Sequence, residues 1–188
     1  MIEQMAIGCI LGDSYITRSG CLQIEHSIKQ KEYVQWKFRF FKDRNLTGKE
    51  PTIRYRLDKR TGKTYQSLVF YTKAKYKHLR ERFYFNGRKI IPKEINSMLV
   101  SNLALAVWFM DDGGKGGNTP KGQIISVAGF NLCDQKRLQS CLSLNYKIEV
   151  NLHQNGQFYV PIKSVNLFHF LVTPLIIPSM RYKLSITP

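Results

Sequence analysis

The residues best suited to chemistry are acids at the ends of two apolar runs. Leu103 to Met110 runs without a polar residue into Asp111-Asp112, and Gly113-Gly114 follows. The run is far short of the ~20 residues that span a bilayer, so it predicts a buried helix. Gly113-Gly114 reads as its stop, because glycine takes the left-handed conformation that closes a helix C-terminus. Asp111 and Asp112 then fall in the last turn, where the helix macrodipole is already negative. Two carboxylates there need a positive neighbour, and a hard divalent cation bound by carboxylate oxygens would meet that need. Alone, the segment could equally be a solvated Asp-Gly turn. A second copy argues otherwise. Ala6-Ile7-Gly8-Cys9-Ile10-Leu11-Gly12-Asp13-Ser14 has the same plan, and Asp13 and Asp112 stand 112 − 13 = 99 positions apart in a chain of 188 residues. Such a repeat implies one architecture built twice.

The two stretches resemble the paired motifs of the LAGLIDADG homing endonucleases, in the single-chain branch that carries both in one polypeptide. With Asp13 and Asp112 at the motif's eighth position, Gly8 takes the third and Ala106 the second. Ser14 replaces the final glycine, and Leu11 and Met110 stand where the motif name has its first Asp. Trp108 to Lys115 is closest to the subgroup of the yeast mitochondrial omega-intron endonuclease. The resemblance implies a mixed α/β (α+β) fold, a pseudo-two-fold LAGLIDADG fold of two αββαββα halves with curved antiparallel DNA-binding sheets. It places the first half at 1–99 and the second at 100–188, in one compact monomer. It also implies that the motif helices pack side by side through Gly8, Gly12, Ala104 and Ala106, bringing Asp13 and Asp112 together as catalytic metal ligands. Mg²⁺ is the implied cofactor, with Mn²⁺ as a substitute, because a hard cation can activate water and neutralise phosphate charge. Asp111 is read as an electrostatic neighbour. Lys89 and Lys183 match the subgroup's two active-site lysines, at similar offsets from the acids (89 − 13 = 76; 183 − 112 = 71). With 29 Lys and Arg in the chain, a plain solvated role is the alternative for either.

The elements that must position these residues follow from local pattern. Cys21 to Ser27 alternates, with Leu22, Ile24 and His26 on one face and Gln23, Glu25 and Ser27 on the other, which predicts a half-buried strand. Lys31 to Asn45 predicts an amphipathic helix whose Val34, Phe38 and Phe41, widened by Trp36 and Phe40, read as core. Thr52 to Leu57 and Tyr65 to Tyr71 predict a hairpin with a basic tip. A helix over Lys73 to Phe85 and a connection over Pro92 to Asn102 complete the first half. In the second, Gly113 to Gly122 reads as a loop and Gln123 to Phe130 as a strand. Asp134 reads as the cap of a helix reaching Leu144. Tyr146 to His153 and Gln157 to Ile162 predict a hairpin turned by Asn155-Gly156, and Ser164 to Ile176 a last helix.

The formal net charge of +16 calls for a polyanionic partner. It divides as +12 over residues 1–99 and +4 over 100–188. No membrane segment or signal peptide is legible, and Cys9, Cys21, Cys133 and Cys141 lack zinc or CxxC spacing. Reduced thiols and an intracellular setting are expected: a mitochondrion or chloroplast in a eukaryote, the cytoplasm in a bacterium. The expected partner is double-stranded DNA. Gln23, Glu25, Arg54, Arg56, Asn151 and Gln157 are candidate base readers, with His153 on the same outward set. Arg18, Lys59, Arg60, Lys63, Lys115 and Lys121 are candidate phosphate contacts. The function so read is a site-specific homing endonuclease making a metal-dependent staggered double-strand break with short 3′ overhangs in a long asymmetric target, to promote intron mobility. The alternatives are an intron RNA maturase and a non-catalytic basic nucleic-acid-binding protein.

Overall fold

A computed structural model describes residues 1–116 and 122–185. Helix α1 (Ile2–Leu11) is followed by strands β1 (Tyr15–Ile16) and β2 (Leu22–Ser27), helix α2 (Lys31–Lys42), strands β3 (Thr52–Leu57) and β4 (Thr64–Tyr71), and helix α3 (Lys77–Phe83). A two-residue hairpin, β5 (Tyr84–Phe85) and β6 (Arg88–Lys89), and a single turn, α4 (Ile95–Met98), lead to α5 (Asn102–Asp112). Then come β7 (Gly113–Lys115), β8 (Gln123–Ser126), α6 (Leu132–Tyr146), β9 (Asn151–His153), β10 (Gln157–Val160) and α7 (Ile162–Val172). The order αββαββα therefore runs twice. The chain divides into two compact units, residues 13–80 and residues 1–12 with 81–188.

In the unit 13–80, the antiparallel sheet has the order β1-β2-β4-β3. The alternation of β2 appears as read: Leu22, Ile24 and His26 are buried while Gln23 and Glu25 are half-buried. Helix α2 covers that buried face. Phe38 and Phe41 meet Phe70 of β4 at ring-centroid distances of 5.4 and 6.3 Å and are core, whereas Trp36 and Phe40 stay half-buried. The helix ends at Lys42 rather than Asn45, whose φ of 55° turns the chain away. Strand β3 departs from its pattern. Its apolar residues Ile53, Tyr55 and Leu57 are all exposed on what is the edge strand of the sheet.

In the other unit, the sheet order β7-β8-β10-β9 repeats the first topology. Helices α1 and α5 are apolar nearly all round and pack against each other, which is how a helix without a polar face satisfies itself. Gly8 makes that contact possible. A Cβ there would sit 2.6 Å from the Ala104 carbonyl oxygen and 2.8 Å from Val107 Cβ. Gln4 ties the start of α1 to the approach to α5, donating to the Met98 carbonyl (2.7 Å) and accepting from Ser101 N–H (3.1 Å). Trp108 packs edge-on against Phe158, and Phe109 against Phe168.

Several expected boundaries move. Gly113 is extended (φ −85°, ψ 165°), not left-handed, and opens strand β7 rather than a loop. Its missing Cβ leaves room for the Phe109 ring. Tyr84 and Phe85 leave the expected helix to pair with Lys89 and Arg88 around Asn86-Gly87, both at positive φ. Asn131, not Asp134, caps α6. Its side chain accepts from Asp134 N–H (3.0 Å), and Asp134 accepts from the Asn131 amide in return. Tyr146 closes that helix rather than starting a strand, since Lys147 adopts the left-handed conformation after it. Strand β8 ends at Ser126. The turn before β10 spans three residues, with Gly156 at φ 72°.

Candidate active site

Both motif helices lead into an acid, and each has a lysine seated at its C-terminus. In α1 the last carbonyl region belongs to Gly12, and Lys89 Nζ donates to the Gly12 oxygen at 2.8 Å. Asp13 is the next residue in the chain. In α5, Lys183 Nζ donates to the carbonyls of Met110 and Asp111, each at 2.6 Å. A cation on the unpaired carbonyls of a last turn opposes the macrodipole and satisfies acceptors the helix cannot pair itself. That alone accounts for a lysine at one helix. Its recurrence at the second motif, on residues far apart in sequence, places both lysines beside the acidic ends.

The acids differ in environment. The Asp13 side chain is half exposed and lies 3.6 Å from His26 Nδ1. Asp111 is buried, with its side chain filling the space a Cβ on Gly12 would need, so Gly12 is required for its packing. Asp112, the last residue of α5, is half-buried. A buried carboxylate needs bonds or a compensating charge, and the Lys183 ammonium is held on the backbone carbonyl of the same residue. Asp13, Asp111 and Asp112 each offer carboxylate oxygens, hard donors that suit Mg²⁺ or Mn²⁺ better than a soft metal.

The segment carrying Lys183 is held by a residue that sequence pattern treats as an ordinary strand position. Gln123, fully buried on β8, donates to the carbonyls of Gly114 (2.6 Å) and Lys183 (3.1 Å). Its oxygen accepts from Ser185 N–H (2.7 Å) and faces His169 Nε2 at 2.9 Å. Both amide donors being used, His169 must present Nε2–H to that oxygen. Burial pushes the pKa of His169 below its ordinary 6.5.

A family model described as the LAGLIDADG DNA endonuclease family matches residues 3–168. The chain belongs to that family. It is 31% identical to the probable intron-encoded endonuclease 1 of Wickerhamomyces canadensis, over 97% of this chain and 83% of that protein. It is 35% identical to the cytochrome b mRNA maturase bI2 of Debaryomyces hansenii over 120 residues, 61% of this chain and 44% of the maturase's length. Among solved structures it is similar to the homing endonuclease I-WcaI bound to its DNA recognition sequence, with a TM-score of 0.84, 30% identity, and coverage of 97% of this chain and 84% of that one. The repeated αββαββα order is therefore the LAGLIDADG fold.

On the first LAGLIDADG sheet, Gln23, Glu25, Arg54 and Arg56 share the face away from α2. Glu25 organises that face. It accepts from Arg54 (2.6 Å), Ser67 (2.6 Å) and Gln23 (3.1 Å), and Arg54 also donates to the Tyr71 hydroxyl at 2.9 Å. Arg56 is exposed, as are Lys59, Arg60 and Lys63 at the hairpin tip and Arg18 between β1 and β2. Asp58 shapes the tip, accepting from Arg60 N–H and the Thr61 hydroxyl, each at 2.9 Å. Those bonds hold its carboxyl below the ordinary carboxylate value. On the second sheet, Asn151 and Tyr159 pair across β9 and β10, as do His153 and Gln157. All four occupy one face, with the His153 ring stacked on Tyr159 at 5.7 Å. Lys115 is exposed at the end of β7, and Lys121 lies outside the described residues. His26 was legible only as a core position of β2, and its place beside Asp13 needed the fold.

Proposed function

We propose that the chain is a monomeric, site-specific DNA endonuclease that makes a Mg²⁺-dependent staggered double-strand break with short 3′ overhangs in a long asymmetric target, promoting mobility of the intron that encodes it. The observation that carries this reading is the paired seating of Lys89 and Lys183 on the terminal carbonyls of the two acid-ended motif helices. Helix capping accounts for one such lysine; its repetition at both motifs, next to an acid each time, is what supports a shared chemical role.

Asp13 and Asp112 would hold the cations, with Asp111 adjusting the local charge. A bound Mg²⁺ supplies a more acidic water and neutralises charge on the phosphate oxygens. The lysine ammonium groups, fixed against helix carbonyls, stand pre-oriented toward a phosphate that gains charge as the bond to water forms. One acid and one lysine per motif provide for one cut on each strand, so two motifs in one chain make a second copy unnecessary. Gln23, Glu25, Arg54, Arg56, Asn151, His153 and Gln157 read base edges from the sheet faces, while Arg18, Lys59, Arg60, Lys63, Lys115 and Lys121 hold the backbone.

The test is cleavage of the uninterrupted host allele with and without Mg²⁺, by wild type and by Asp112→Asn. A single metal-dependent cut near the insertion point, lost in the variant while DNA binding persists, is the expected result. The similarity to a cytochrome b mRNA maturase supports a second reading, in which the protein binds its intron transcript and assists splicing. Tight binding to that transcript without a DNA cut would favour it.

A further inference from the structure

Beneath Asp13 lies a charged side chain that the nuclease reading does not use. Lys37 of α2 is fully buried, among the Val34, Phe38 and Phe41 positions that face the sheet. Its Nζ lies 3.0 Å from His26 Nε2 and 4.3 Å from the centroid of the Tyr33 ring. Burying an ammonium is costly unless it is bonded and its charge is compensated, and the ring face offers part of that compensation. An aliphatic side chain would fill this place without such cost. The geometry also sets the histidine. A charged Lys37 has donors and no acceptor, so it takes the lone pair of His26 Nε2 and leaves the ring proton on Nδ1. That nitrogen is the one 3.6 Å from Asp13 Oδ2.

We propose that Lys37 and His26 are positioning residues for Asp13: Lys37 sets the tautomer of His26, and His26 aims Nδ1–H at the Asp13 carboxylate, fixing the orientation in which it holds a divalent cation. The proposal rests on the reading of Asp13 as a metal ligand. Partners that orient a ligating group commonly cost about 10–100-fold in metal affinity when removed.

The experiment is a Mn²⁺ titration of the full chain followed by electron paramagnetic resonance, with thermal melts of each variant. His26→Leu is expected to weaken Mn²⁺ binding by about 10–100-fold, and Lys37→Met to weaken it as well. His26→Asn, whose amide N–H stands near the Nδ1 position, should recover most of the loss. His26→Gln, whose amide stands nearer the Nε2 side, should not, and it replaces His26→Leu if the leucine variant fails to fold. Wild-type Mn²⁺ binding in a folded His26→Leu or His26→Gln chain would overturn the proposal, as would an Asn variant as weak as these. Asp13→Asn separates the two levels. If it leaves Mn²⁺ binding unchanged, the metal reading of Asp13 falls and the positioning role with it. If it weakens binding while the His26 variants do not, the positioning role alone falls.

Discussion

On the proposed reading, Lys89 and Lys183 combine a structural and a chemical task at one atom each. Either ammonium satisfies helix carbonyls, so truncation costs some stability, about 0.3–1 kcal/mol for a charge at a helix C-terminus. The chemical loss should be larger. Lys89→Met and Lys183→Met are each expected to lower single-turnover cleavage by about 10²–10³-fold, the scale of losing one transition-state donor, with DNA affinity little changed. Rates measured on the target in saturating Mg²⁺ check this. A loss confined to melting temperature would assign the lysines to stability alone. The cysteines give a second prediction at this scale. Burial pushes the Cys141 thiol up to about 12, and it lies against the Ile95 and Leu99 carbonyls. Cys133 is exposed. Iodoacetamide at neutral pH should therefore label Cys133 and spare Cys141, since the thiolate is the reactive form. Peptide mass mapping reads the result.

At the scale of elements, the α1–α5 pair and the Gln123 network are the parts that hold the acids and Lys183 in place. Gly8→Ala puts a methyl group against the Ala104 carbonyl and Val107, so the helices must move apart. The expected cost is about 1–3 kcal/mol, as for overpacked cores, visible as a lower urea midpoint. The β8 network adds a pH dependence. Burial lowers the pKa of His169, so the unfolded chain takes up its proton at a higher pH than the folded chain does. Stability from this residue is present above the ordinary histidine value of 6.5 and is lost as pH falls below it. Melting temperature should fall on acidification from pH 7 toward pH 5. His169→Gln should flatten that part of the profile.

For the whole molecule, the governing quantity is charge. The hairpin tip bears Lys59, Arg60 and Lys63 in a turn shaped by Asp58, away from both motifs in sequence. Replacing all three by Gln should reduce the slope of log affinity against log salt by about 2–3, near 0.9 for each phosphate contact removed. The intrinsic cleavage rate at saturating DNA should stay unchanged. Filter binding across a salt series separates this from a loss of base readout, which would change target discrimination and leave the slope alone.

Contiguous patterns in the sequence determined much of this protein. The two apolar runs, their acids, the alternation of β2, the hairpin of β3 and β4 and the basic balance are local properties, so period and turn chemistry expose them. The paired motif is also contiguous, and it carried the family. Tertiary structure alone decided the rest. Lys89 and Gly12 are 77 residues apart, and Lys183 and Met110 are 73 apart, so their contacts depend on how distant segments pack. Likewise Gly113 proved to be a space for Phe109 rather than a left-handed stop, and Ile53, Tyr55 and Leu57 lie exposed on an edge strand. By sequence alone Lys37 is one of several basic residues between Lys31 and Lys42. Only its burial against His26 revealed it beneath Asp13, because periodicity reports which face a residue occupies and not what another element brings to meet it.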